Sequence, residues 1–166
     1  MCRAKIVFIV FLGILAFSSC EKDDICVDGN TPLLVIRFYD SEDTTLLKSV
    51  PNMVVRGIIG QDSLLAILPN ASGDSIAIPL RSDVGNTTFL ISQNLTPADT
   101  TLVNVDTVTF NYMTQSIFIS RACGYVANYE ALQGNIGAES EPWIEAISIV
   151  NPSVQNSSLA HVKIFH

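Results

Sequence analysis

From Thr31 onward the apolar residues come in short runs rich in Val, Ile, Phe and Thr, separated by Pro, Gly, Asn and Asp. Runs of that length and composition, broken that often, build strands and turns. Leu33–Tyr39, Met53–Ile58, Ser75–Leu80 and Thr87–Ser92 are the first predicted strands, with Pro51, Pro69, Asn70, Gly73, Asp83 and Gly85 punctuating them. Leu102–Tyr112 alternates Val103, Val105, Thr107, Thr109 and Asn111 with Asn104, Asp106, Val108, Phe110 and Tyr112. Ser116–Cys123 returns after a short Met113-Thr114-Gln115 link, so the two read as a β-hairpin. Trp143–Val150 and Ala160–Phe165 bring the total to about eight strands, at the spacing of a two-sheet fold. Gly124–Gly134 reads as a strand extension leading into a turn, and Ser63–Leu68 as a strand or a loop. The expected fold is all-β, a single antiparallel β-sandwich of immunoglobulin-like or prealbumin-like type. Uneven strands and prolines at several edges argue against a closed barrel.

The sandwich is predicted to occupy residues 31–166, because the N-terminus has another purpose. Arg3 and Lys5 precede an uncharged run from Ile6 to Phe17, the layout of a secretory signal, and that run is too short to span a bilayer. Ser18-Ser19-Cys20 resembles the bacterial lipobox, in which the cysteine thiol is lipidated before cleavage, although Phe17 stands where Leu is usual. Residues 1–19 are then a lipoprotein signal peptide, and residues 20–30 a lipid-anchored acidic tether. The alternative is ordinary cleavage nearby, leaving Cys20 a plain thiol. Lys22-Asp23-Asp24 look like the surface-export signal of Bacteroidota lipoproteins, or else serve as a solvated tether. The expected location is the outer membrane, surface-exposed or facing the periplasm.

Charge and cysteine count sharpen this picture. The chain carries 9 Lys+Arg against 16 Asp+Glu, a formal charge of −7, and losing residues 1–19 removes Arg3 and Lys5 and makes it −9. No cluster of cations is present to neutralise phosphates, so nucleic acid is excluded as a partner. With Cys2 removed and Cys20 acylated, Cys26 and Cys123 remain as an even pair in an oxidising compartment, where disulfides persist. A Cys26–Cys123 bridge is expected, against the alternative of two buried thiols. Their spacing offers no zinc site.

Several stretches together resemble one family. They are Cys20-Glu21-Lys22-Asp23-Asp24-Ile25-Cys26, Thr31-Pro32-Leu33-Leu34-Val35-Ile36-Arg37-Phe38-Tyr39-Asp40 and Asp74-Ser75-Ile76-Ala77-Ile78-Pro79-Leu80, with Asp106-Thr107-Val108-Thr109-Phe110, Arg121-Ala122-Cys123-Gly124-Tyr125 and His161-Val162-Lys163-Ile164-Phe165-His166 further on. They look like the domain-of-unknown-function family numbered 6452, small Bacteroidota lipoproteins. The resemblance implies location and architecture and supplies no activity. It also implies a partner, a second envelope protein of barrel type.

Catalytic chemistry finds little support. Gly73-Asp74-Ser75-Ile76 superficially resembles the nucleophile block of Gly-Asp-Ser hydrolases, but His161 is preceded by Ser158-Leu159-Ala160 and lacks the aspartate three residues earlier. No phosphate-binding loop, dinucleotide fingerprint or metalloprotease motif occurs, so the chain is read as a non-enzyme with no cofactor and no metal. Asp23, Asp24, Asp28 and Asn30, and separately Asp40, Glu42 and Asp43, offer oxygen ligands without the spacing of a calcium loop, and read as tether and turn residues. Arg37 and Arg121 lie inside apolar runs, where a charge must be paired or face water. Together with Tyr39 and Tyr125 they form a candidate recognition patch for a carboxylate or a sugar. Tyr112, Tyr129 and Trp143 are further candidate stacking surfaces for a glycan. Thr44, Ser63, Ser75, Thr100 and Thr107 each follow an Asp and precede a small or aliphatic residue, as in the Bacteroidota O-glycosylation sequon, although turn chemistry explains the pattern too. The leading expectation is an accessory or docking module for an outer-membrane protein. The alternatives are a glycan- or ligand-binding module and a cryptic hydrolase.

Overall fold

A computed structural model describes residues 26, 29–60, 63–95 and 103–166. Among these residues nine strands form: β1 (Leu34–Tyr39), β2 (Val50–Ile59), β3 (Ser63–Gly73), β4 (Ser75–Ile78), β5 (Asn86–Gln93), β6 (Asn104–Ser120), β7 (Gly124–Ile136), β8 (Ala146–Ile149) and β9 (Val162–Phe165). They make two sheets, a four-stranded one in the order β4-β1-β9-β8 and a five-stranded one in the order β3-β2-β5-β6-β7. The all-β sandwich expected from the sequence is what the chain forms. One pair departs from the antiparallel rule, since β1 and β9 run parallel with Ile36 opposite Val162 and Phe38 opposite Ile164.

Strand alternation puts one face of each sheet inside. Leu34, Ile36 and Phe38 of β1, Ile76 and Ile78 of β4, and Val162 and Ile164 of β9 meet Met53, Val55, Phe89, Ile91, Val108 and Phe110 of the larger sheet. These side chains are buried, and each contributes roughly 1.5–3 kcal/mol on leaving water. The chain changes sheets at Asp74, a single residue between β3 and β4, and the Asp74 carbonyl accepts the Phe38 N–H at 2.9 Å.

The C-terminal half of the chain folds differently from what its composition predicts. Met113-Thr114-Gln115 is no link, because β6 continues unbroken through it for 17 residues and the reversal comes at residues 121–123. Asn111 lies opposite Gln133 and Met113 opposite Glu130, so β7 carries one extra residue at this point. Ala131, with φ +53° in the left-handed region, takes up the extra residue as a β-bulge. Beyond Asn111 the β5 ladder has ended, and β6 and β7 go on as a two-stranded arm whose base is joined by the 152–154 segment through Tyr129 and Leu132. Gly124–Gly134 is thus part of a full strand, and Ser63–Leu68 belongs to β3.

The disulfide joins Cys26 to Cys123, in the turn of that arm, with Cα atoms 4.8 Å apart and a sequence separation of 97. Gly29 packs directly on it, where a Cβ would meet Cys26 Sγ and come within 2.9 Å of Cys123 Cβ. From there the chain passes along the arm, the Thr31 hydroxyl accepting the Ala127 N–H at 3.4 Å, and enters β1.

Candidate functional site

The outward face of the four-stranded sheet collects the chemistry. Arg37 and Tyr39 point away from the core because Ile36 and Phe38 point into it. The parallel register puts Lys163 beside Arg37 and Phe165 beside Tyr39. On the flanks, Arg37 is opposite Ser75 of β4, and Lys163 is opposite Ser148 of β8. One row therefore reads Ser75, Arg37, Lys163, Ser148 across the whole sheet, spanning about 14 Å at the usual strand spacing. The neighbouring row holds Tyr39 and Phe165, their ring centroids 5.9 Å apart.

Two cations side by side on a strand pair repel, and such neighbours normally cost stability. Among the described residues neither Arg37 nor Lys163 makes an ion pair; the two that form are Lys48 with Asp40 and Arg81 with Asp83. Lys163 finds partial relief over the Tyr39 ring, its Nζ 4.5 Å from the centroid, an interaction worth roughly 0.5–1 kcal/mol at an exposed site. In a chain this acidic, a cationic pair without an acidic partner among the described residues, framed by aromatic rings, suits a carboxylate or another anion with an apolar shoulder.

The four-residue patch expected from the sequence is split. Arg121 lies in the turn between β6 and β7, and Tyr125 stands 70% exposed on β7 against Phe118, so both belong to the other sheet's arm. Strand order separates the two pairs, and nothing in local sequence encodes strand order. Lys163, Phe165 and Ser148 escaped the sequence reading, although Lys163 between Val162 and Ile164 carried the same signal as Arg37.

Three of the aromatic candidates serve the core instead. Tyr112, Tyr129 and Trp143 are buried. The Tyr112 hydroxyl donates to the Arg81 carbonyl at 2.7 Å and meets Thr87 Oγ1, Tyr129 donates to the Leu80 carbonyl at 2.9 Å, and Trp143 Nε1 donates to the Ile91 carbonyl at 3.1 Å. The two tyrosine rings pack edge to face at 5.0 Å, and burial pushes Tyr129 up to about 12.

His161 is fully buried, its Nδ1 accepting the Val35 N–H at 3.1 Å, so the proton resides on Nε2. Burial lowers its pKa, opposed in part by the Asn156 backbone. Among the described residues no serine or carboxylate hydrogen-bonds to it, and Ser75 faces outward from β4. Asp106 is also buried, with Oδ2 accepting the Ile144 N–H at 2.7 Å and Oδ1 without a partner. Desolvation raises its pKa, against the pull of the Ile144 and Trp143 N–H groups.

Of the O-glycosylation candidates, Thr44 and Ser75 are exposed, whereas Thr107 is half-buried and donates its hydroxyl to Glu139 Oε1 at 2.9 Å. Ser63 begins β3, and its side chain lies outside the described residues, as do Thr100 and the anchor and export residues Cys20, Lys22, Asp23 and Asp24. Asp40 accepts the Glu42 N–H at 2.8 Å and Asp43 the Thr45 N–H at 3.1 Å, so these carboxylates organise a turn. The Thr45 hydroxyl and N–H hold Asp43 below the ordinary carboxylate range. Between the sheets, Gly57, Ile67, Leu80 and Phe89 line an apolar cleft of about 210 Å³, smaller than the roughly 300–1,000 Å³ of small-molecule sites.

A protein-family model described as "Family of unknown function (DUF6452)" matches residues 52–166, a span that holds β9 with Lys163 and Phe165 and leaves β1 outside. No curated protein and no solved structure matches the chain.

Proposed function

The chain belongs to the DUF6452 family of unknown function, and we propose that it is a non-enzymatic accessory lipoprotein of the outer membrane that docks on an acidic surface of a membrane-protein partner. Cys20 carries the lipid, Lys22, Asp23 and Asp24 direct export, and the outward face of the four-stranded sheet makes the contact. The observation that carries the docking reading is the cationic pair Arg37 and Lys163, without an ion pair among the described residues and flanked by Tyr39 and Phe165. Arg and Tyr dominate the energetics of protein interfaces, and a cation desolvated against a partner carboxylate gives both affinity and register.

The test is mass spectrometry of what co-purifies with the tagged native protein after mild detergent extraction, comparing wild type with Arg37→Glu/Lys163→Glu. A stoichiometric outer-membrane protein lost at least tenfold in the charge-reversed variant is the expected result. A partner retained undiminished by that variant, or no partner at all, overturns the reading. The second outcome favours glycan binding, for which the adjacent Tyr39 and Phe165 rings beside the Ser75 and Ser148 hydroxyls supply a stacking platform and polar rim.

A further inference from the structure

The β6–β7 arm breaks the rule that an exposed hairpin presents a polar side to water. Phe118 (56% exposed) and Tyr125 (70%) are cross-strand partners on one face, while Ile117 and Ile119 at the alternate positions are exposed to a lesser degree, Ile117 lying opposite the buried Val126. Met113 adds to the apolar surface nearer the sandwich.

Charge is segregated in the same place. The chain holds 16 acidic residues, yet none falls between Met113 and Tyr129, and the one charge in that stretch is Arg121, exposed at the turn. A cation at the end of an apolar, aromatic-bearing tip is the composition that settles in a lipid interface, with the ring in the headgroup layer and the guanidinium among the phosphates.

Covalent geometry adds an independent constraint. The bridge ties Cys26 to Cys123 in the turn of the arm. Cys20 lies six residues before Cys26, and six residues span at most about 20 Å fully extended. Adding the 4.8 Å between the Cys26 and Cys123 Cα atoms, a lipid on Cys20 therefore keeps the turn of the arm within about 25 Å of the bilayer surface, whatever the rest of the molecule does.

We infer that the tip of the β6–β7 arm docks in the membrane interface that carries the Cys20 anchor, with Phe118, Tyr125, Ile117 and Ile119 entering the headgroup boundary and Arg121 on the lipid phosphates. The inference rests on the reading of Cys20 as acylated. Penetration is shallow, because the arm has open strand edges whose backbone groups cannot enter hydrocarbon. Docked this way the sandwich is held at two points, lipid and tip, which fixes its orientation over the bilayer.

The test uses full-length protein purified from its own membranes and reconstituted into phosphatidylethanolamine–phosphatidylglycerol vesicles with brominated acyl chains. Trp143, the one native tryptophan, is buried and serves as the internal reference. Phe118→Trp should be quenched at least twofold more than wild type, and Tyr125→Trp likewise. Glu141→Trp should match wild type, since Glu141 sits beside Asn104 at the opposite end of β6, its carbonyl accepting the Asn104 amide at 2.7 Å. Vesicle-bound protein in which both tip tryptophans are quenched no more than Glu141→Trp overturns the inference, and that is also the result if a second copy or a barrel covers the tip. Intact mass reports separately on Cys20. Without an acyl addition the anchor reading fails, and the arm stands only if the unlipidated protein still sediments with vesicles and Phe118→Trp is still quenched.

Discussion

Replacing Cys26 and Cys123 by serine together should leave the sandwich folded and cost about 2 kcal/mol. The bridge closes a 97-residue separation, and in the chain-entropy argument a loop of that size stabilises by up to about 4.7 kcal/mol through the unfolded state. Part of this is returned on removal, because the native chain also gains freedom. Upstream of Thr31, which holds Ala127, and of Leu33, whose N–H donates to Ser157 Oγ at 2.8 Å, the bridge is what keeps the segment on the arm. Releasing two or three ordered residues at about 1 kcal/mol each offsets roughly half of the loop term. Equilibrium urea unfolding of residues 20–166 in a Cys20→Ser background measures this. The midpoint should fall, and the slope should rise because the uncrosslinked chain exposes more surface. An unchanged slope and midpoint would refute the reasoning, as would loss of cooperative unfolding, which would mean that the core depends on the bridge.

Two further predictions concern buried titratable groups. Asp106 has its pKa raised by burial, so the folded protein favours the protonated form, and stability is fully present below the ordinary carboxylate pKa and falls as pH rises through the folded value. Asp106→Asn should therefore abolish that decline above the ordinary carboxylate pKa while keeping an acceptor for Ile144, whereas Asp106→Ala orphans the Ile144 N–H and should cost about 1–3 kcal/mol throughout; thermal melts across pH read both. Tyr129, raised to about 12 from an ordinary 10, holds its proton more tightly when folded, so the stability it contributes is present below pH 10 and is lost as pH climbs toward 12. Tyr129→Phe should lose about 1 kcal/mol at neutral pH with the bond to the Leu80 carbonyl, and should flatten the alkaline decline, which circular dichroism against pH would detect.

Alternation made most of the core legible. The inward set of β6 is the run Asp106, Val108, Phe110 and Tyr112, one of the two sets that period two separates in the sequence. Where polar residues interrupt the pattern, at Met113-Thr114-Gln115, composition alone points to a link between two strands. Backbone pairing with Glu130, Tyr129 and Asn128 carries β6 across, and a bulge at Ala131 absorbs the mismatch without any change in the composition of β6. The functional face was half legible for a related reason. Arg37 and Tyr39 announce themselves as outward residues, but their neighbours come from a parallel pairing with residues 126 positions away. Local sequence carries no record of such a pairing, so Arg121 and Tyr125 were grouped with them by residue type alone.

The position of β9 has a consequence for the order of assembly. It lies between β1, the first strand of the sandwich, and β8, and supplies Val162 and Ile164 to the core. Until residues 162–165 have been synthesised, β1 is hydrogen-bonded on one side only and β8 has no partner in its sheet. The parallel β1–β9 contact closes nearly the longest loop available to the chain, a late step in folding. A chain truncated before β9 should therefore remain sensitive to protease across the four-stranded sheet.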